Sequence, residues 1–219
     1  MKFENTKVTG FENAIIGMRL PMCKDFQEAK EKCDSEFGWN SDFSQWGVQK
    51  IGEKDADLMK RLIKADENAS GQPNSKFLRM IHVQVAITAP LYFMQELDTY
   101  KVSTVRNSTS KMHTISKYEI TKDCFENGEM IPLNTIMTLE NLRIDYLETK
   151  DKDRWKRLIV NLPESWLQTS MFDCNYQTLR NIYFSRHNHK LTEWHTFCDW
   201  IKSLPYAKEL LIENQSVRA

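Results

Sequence analysis

Between Thr99 and His113 the chain gathers Thr99, Tyr100, Lys101, Ser103, Thr104, Arg106, Asn107, Ser108, Thr109, Ser110 and Lys111. Hydroxyls, an amide and cations are the groups that bind phosphate oxygens and nucleobase edges. An exposed polar loop has the same composition, so the stretch needs partners elsewhere before it means more. A second cation lies near the C-terminal end, Arg186, on the helix that Asn175 begins. Arg186 follows Asn175 by eleven residues. That is about three turns at ~3.6 residues per turn, so the two share a face. A guanidinium held there adds a second cation for a phosphate or nucleobase ligand.

Other chemistries are weaker here. His187, His189, His195 and Cys198 form the densest metal-like cluster, and His195 and Cys198 sit at i, i+3 on one helical face. Histidines at a helix end favour the helix dipole, and a cysteine on an apolar face is usually a small buried hydrophobe. No metal site is expected. The carboxylates of Glu96, Asp98, Glu193 and Asp199 are available, but none is singled out as a general base. No nucleophile elbow occurs. Glycines number 7. The nearest approach to a phosphate loop, Gly47-Val48-Gln49-Lys50-Ile51-Gly52, is followed by Glu53 where such a loop has lysine.

The surrounding chain must position these groups. Its 219 residues, 41% apolar and 27% charged, suit one soluble globular domain. Thirty basic and 30 acidic residues cancel, so nothing drives nucleic-acid or membrane-surface binding. Five widely spaced cysteines without a Cys-x-x-Cys pair read as reduced thiols. The start, Met1-Lys2-Phe3-Glu4-Asn5, has no apolar run of a secretory signal, and no stretch of ~18 apolar residues occurs. These features predict a cytoplasmic protein without membrane spans. The clearest strand is 81–88, with Ile81, Val83, Val85 and Ile87 on one face. Ala89-Pro90 opens a helix, with proline in its first turn. Residues 2–8 form a first strand, and helices are predicted over 11–18, 55–65, 133–147 and 153–162. Residues 69–74 form a loop, and Ser75 caps a short helix to Met80. Residues 165–174 read as an ambiguous strand, Asn175 as the N-cap of a helix to Arg186, and Thr192 as the cap of a last helix. Residues 23–52 read as an excursion from the core.

The order of these parts resembles the flavin-dependent thymidylate synthase family. That family has a strand, Ala-Pro, a helix, Arg-His-Arg, seven residues and a serine. Here Val83–Pro90 and a helix precede Thr99-Tyr100-Lys101, seven residues and Thr109. The family's Asn, five residues, Asn, four residues, Arg stands here as Asn175, Asn181 and Arg186, with Leu162-Pro163 upstream. Ser75-Lys76-Phe77 is similar to the family's Ser-Pro-Phe.

The resemblance implies an α/β (α+β) fold with an antiparallel or mixed central sheet, flanking helices and a helical C-terminal half. The matching motifs cover roughly residues 75–112 and 162–186, and the resemblance implies one domain over 1–219, with 23–52 an insertion or excursion. It implies a homotetramer whose active sites use FAD to reduce a methylene carried from methylenetetrahydrofolate to dUMP, with NADPH as hydride source. By position, Ser75, Thr99, Tyr100, Lys101, Asn175, Gln177 and Asn181 would line the FAD site. Glu96, Thr109, Ser110, Lys111 and Arg186 would meet the uracil nucleotide, and Arg186 would favour ionisation at the ring N3. Three departures stand out. Thr-Tyr-Lys replaces Arg-His-Arg, Glu96 replaces a glutamine, and Lys111 offers a point charge where the family has a planar fork. Arg106 is the first candidate to replace a missing guanidinium. A relative that binds nucleotide or flavin without turnover is the other functional reading of these departures.

Overall fold

The computed structural model describes residues 1–40, 45–68 and 74–213. In chain order the elements are β1 (Lys2–Thr9), α1 (Phe11–Arg19), α2 (Phe26–Glu31), β2 (Glu36–Asn40), β3 (Gln45–Lys50) and α3 (Glu53–Asn68). Then come β4 (His82–Pro90), α4 (Leu91–Leu97), β5 (Val105–Ser108), α5 (Lys111–Thr114), α6 (Leu133–Thr149) and α7 (Lys152–Val160). The chain closes with β6 (Leu167–Asn175), α8 (Tyr176–Arg186) and α9 (Thr192–Lys202). Four strands form one antiparallel sheet in the order β1-β4-β6-β5. β2 and β3 form a separate antiparallel hairpin, with Phe37 opposite Val48.

β4 follows its sequence pattern. Ile81, Val83, Val85 and Ile87 are fully buried, while His82 and Gln84 face outward. Burying such side chains contributes ~1.5–3 kcal/mol each. The strand runs past Thr88 to Pro90, which is the extended N-cap of α4 and not a first-turn residue. Proline's fixed φ suits an extended strand end, where its missing N–H breaks no further ladder. β6 lies inside the sheet, and Ser170, Phe172 and Cys174 alternate as its buried side. β5 is an edge strand with mostly exposed side chains.

The chain packs as two compact units. The first comprises Met1–Glu4, Ala86–Tyr100 and Arg106–Phe172. Its helical part is built on Ile115, Ile120, Phe125, Ile136, Leu139 and Leu158, with Trp166 edge-on to Phe125 at 5.5 Å. The second comprises Asn5–Val85, Lys101–Val105 and the chain from Asp173. Its buried side chains include Ile15, Met59, Leu78, Tyr176, Trp194 and Phe197. Tyr176 packs edge-on against Phe11 and donates its hydroxyl to the Pro205 carbonyl at 2.7 Å. Gly10, at φ 92°, begins α1, and a side chain there would strike the Met80 carbonyl oxygen at 2.1 Å.

The stretch 23–52 contains α2 and the β2–β3 hairpin, fastened at its base by Asp55. This carboxylate is fully buried. It accepts from Arg19 Nε at 2.6 Å, from the Asp34 and Ser35 amides at 3.0 Å each, and from the Ser35 hydroxyl at 2.6 Å. Two caps differ from expectation. Thr192 is the first residue of α9, and the preceding Leu191 occupies the cap position without a side-chain bond. Ser75 stands before the short 3-10 helix Lys76–Met80, but its hydroxyl turns elsewhere. Of the loop expected over 69–74, residues 69–73 lie outside the described residues. Among the described residues, no helix is long and apolar enough to cross a membrane.

Candidate functional site

In the second unit, α8 begins at Asn175, whose side-chain oxygen accepts from the Thr178 amide at 2.9 Å. Asn175 is buried, and this bond satisfies one of the orphan amides of the first turn. Its oxygen is therefore engaged in holding the helix. Gln177 and Asn181 stand one turn apart, and Gln177 Nε2 donates to Asn181 Oδ1 at 3.1 Å. On the other side, Ser75 Oγ lies 3.2 Å from Gln177 Oε1. The Ser75 hydroxyl also bonds the Asp66 carboxylate, which accepts from the Asn74 and Ser75 amides as well. Burial pushes the Asp66 carboxyl up, but these hydrogen bonds outweigh it and hold the group below the usual carboxylate range. The Thr178 hydroxyl reaches the Val102 carbonyl at 3.3 Å, which ties the segment carrying Lys101 to the start of α8. Ser75, Lys101, Asn175, Gln177 and Asn181 thus gather around one helix start.

Arg186 does not join them. It lies nine residues beyond Gln177, about two and a half turns at ~3.6 residues per turn, which puts it on the opposite side of α8. It shares a face with Asn175, as expected, but the two are at opposite ends of the helix, ~16 Å apart at ~1.5 Å per residue. Its guanidinium lies over the Trp194 ring, 4.8 Å from the centroid.

The remaining predicted residues belong to the first unit. Glu96, Thr99 and Tyr100 lie at the C-terminal end of α4, where the Thr99 hydroxyl donates to the Glu96 carbonyl at 2.7 Å. Thr109, Ser110 and Lys111 link β5 to α5. The Thr109 amide donates to the Thr169 carbonyl at 2.8 Å, and the Ser110 carbonyl accepts from the Thr114 hydroxyl at 2.8 Å. Arg106 is already engaged. Its Nε and Nη2 grip the Asp98 carboxylate at 2.8 and 2.5 Å, and its Nη1 reaches Ser170 Oγ at 3.0 Å and Gln168 Oε1 at 3.3 Å. Gln168 in turn donates to the Thr109 carbonyl at 2.6 Å. Arg106 therefore clasps the end of α4 to β6 and does not stand ready as a spare guanidinium.

Sequence reasoning did not find Asp66 or Gln168, because neither lies in a recognisable pattern. It also missed a pocket of about 710 Å³ in the first unit, lined by Ile120, Ile131, Leu133, Ile136, Met137 and Glu140 among others. The pocket contains none of the predicted site residues. Among the described residues, no three His, Cys, Asp or Glu side chains converge as metal ligands. His195 Nε2 instead lies 2.7 Å from the His189 carbonyl. Burial pushes the Cys198 thiol up to about 11 and the Cys174 thiol well above the ordinary range. Burial, reinforced by nearby Asp55, does the same for Cys33, to about 11. Such thiols make poor nucleophiles at neutral pH.

No protein-family model matches the sequence, and no curated protein matches it. Solved structures do. A flavin-dependent thymidylate synthase from Helicobacter pylori, complexed with FAD and dUMP, superposes with a TM-score of 0.68 at 18% identity over 97% of this chain and 98% of that one. A second structure of the Helicobacter pylori enzyme with FAD and dUMP gives 0.67 at the same identity and coverage. A UMP/dUMP methylase from Streptomyces cacaoi, bound with 5-Br dUMP, gives 0.59 at 11% identity over 95% and 94%. The motif order and the three-dimensional likeness agree: the chain carries the flavin-dependent thymidylate synthase fold on a sequence far diverged from those of the solved enzymes.

Proposed function

We propose that this protein is an FAD-dependent, cytoplasmic homotetrameric enzyme that reductively methylates a uracil nucleotide, dUMP foremost. The methylene would come from methylenetetrahydrofolate and the hydride from NADPH. One observation carries the reading: Ser75 and, 102 residues on, Gln177, with Asn181 one turn further, form a single hydrogen-bonded line beside the Lys101 segment. The Ser75 hydroxyl and the Gln177 and Asn181 amides suit the ring edges and ribitol of FAD, and Lys101 on the adjoining segment suits its diphosphate, so the donor set fits that cofactor with the Asp66 carboxylate engaged by Ser75. Bound FAD supplies the hydride relay.

The chain's own groups do the rest. Arg186 holds the pyrimidine edge and stabilises negative charge on the ring when N3 loses its proton. Thr109, Ser110 and Lys111 orient the phosphate, and Glu96 accepts from the nucleotide. No protein nucleophile is needed, which accords with thiols held protonated by burial.

The test begins with absorbance. Purified protein should be yellow, or should turn yellow on FAD titration, and should bring a thymidine-requiring host to growth. Assays offering UMP and dUMP side by side identify the nucleotide. A protein that takes up no flavin removes the proposal. Flavin and nucleotide binding without turnover would instead establish the second reading, a non-catalytic binder. That reading is favoured by Arg106 and Asn175, both of which the fold uses for itself.

A further inference from the structure

Arg186 ends α8, and the chain turns sharply after it. The His189 amide donates to the Arg186 carbonyl at 2.9 Å, and the Leu191 amide donates to His189 Nδ1 at 3.2 Å. The Trp194 amide then donates to the Leu191 carbonyl at 3.2 Å as α9 begins. This tight turn brings the face of Trp194 under the Arg186 guanidinium at 4.8 Å. Trp194 is fully buried and cannot move aside. Its ring is braced by Phe197, edge-on at 5.6 Å, and by His189 at 6.2 Å. Arg186 is half-buried above it. A guanidinium held over an indole face is attracted by the ring, and its N–H donors lie in its own plane. In-plane donors are what a flat pyrimidine edge requires.

We infer that Trp194 is a positioning residue for the proposed reaction, an indole platform that sets the plane of Arg186 against the uracil edge. The inference rests on the proposed role of Arg186. It also gives a use to His189, which buttresses the platform and shapes the turn beneath it. The platform acts on the pyrimidine and not on the flavin, so the two bindings should separate.

The experiment compares the full-length protein with W194F, W194L, R186K and the double variant W194F/R186K. Three quantities are measured: flavin content, KM for dUMP and kcat. W194F keeps an aromatic face and W194L removes it. W194L is expected to lower kcat/KM for dUMP roughly 10-fold, with W194F in between and flavin content unchanged in both. The W194F and R186K effects should be less than additive, since both break the same stack. A second readout needs no turnover. In protein labelled with 5-fluorotryptophan, the Trp194 resonance, assigned by its loss in W194F, should shift on adding dUMP and should not shift in R186Q. If W194L does not fold, this spectrum and the W194F/R186K cycle decide. Additive effects, or a Trp194 signal indifferent to dUMP in a protein that turns dUMP over, would overturn the inference and leave the enzyme reading standing. A protein that binds no uracil nucleotide would overturn both.

Discussion

At the scale of single residues, buried charge is most concentrated at Asp55. Four donors surround its carboxylate, so it is satisfied without solvent. Removing it takes the paired carboxylate from the Arg19 guanidinium in a largely buried place. Asp55→Ala should cost ~3–5 kcal/mol, read as a lower urea midpoint, because breaking a buried pair strands its partner. A midpoint within experimental scatter of the parent would mean the hairpin base is held some other way. Asp66 makes a pH prediction. Its folded value is depressed, so its contribution is fully present above the unfolded value of ~3.9 and is lost as pH falls through the folded one. The melting midpoint should therefore drop on acidification below about pH 4, and drop less in Asp66→Asn.

Among the elements, α8 depends on its first turn. Asn175→Ala should destabilise the protein by ~1 kcal/mol, and Asn175→Asp should restore most of the loss in chemical denaturation. If the alanine variant instead lost only flavin at full stability, the residue would be a ligand first and a cap second. This helix start was legible because its signal is local: an Asn followed by helical periodicity. β4 was legible for the same reason, through four alternating aliphatic residues. β6 was harder, since its buried row contains Ser170 and is flanked by Gln168 and Asp173, so polarity masks a real period of two. The hairpin was overlooked although Phe37 and Trp39, then Trp46 and Val48, alternate in sequence. Glycines between those residues made each segment look like loop. The Thr192 cap failed by one position, within the register that a cap residue alone can fix.

For the molecule as a whole, motif order was enough to suggest the fold, because strand, Ala-Pro, helix and the Asn-Asn-Arg helix recur at fixed separations. Side-chain geometry was not legible. Whether Arg106 meets a ligand or Asp98 depends on a partner eight residues away that no motif contains. The proposed assembly has its own test: light scattering after gel filtration should report the mass of four chains. Exposed apolar side chains on the first unit, among them Met130, Leu133 and Met137, are the sort that a subunit contact covers. A mass of one chain would remove the proposed homotetramer.

The clasp between Arg106 and Asp98 reaches further than local architecture. With that fork occupied, the cation of the hydroxyl-rich stretch proposed to receive the nucleotide's phosphate is Lys111. Ammonium groups near the surface act as point charges, and mobile ions mute them beyond ~8 Å at physiological ionic strength. Nucleotide affinity should accordingly fall steeply as sodium chloride is raised from roughly 20 to 200 mM, more steeply than for a pocket built from arginine forks. Titrations of dUMP along that series would test this dependence.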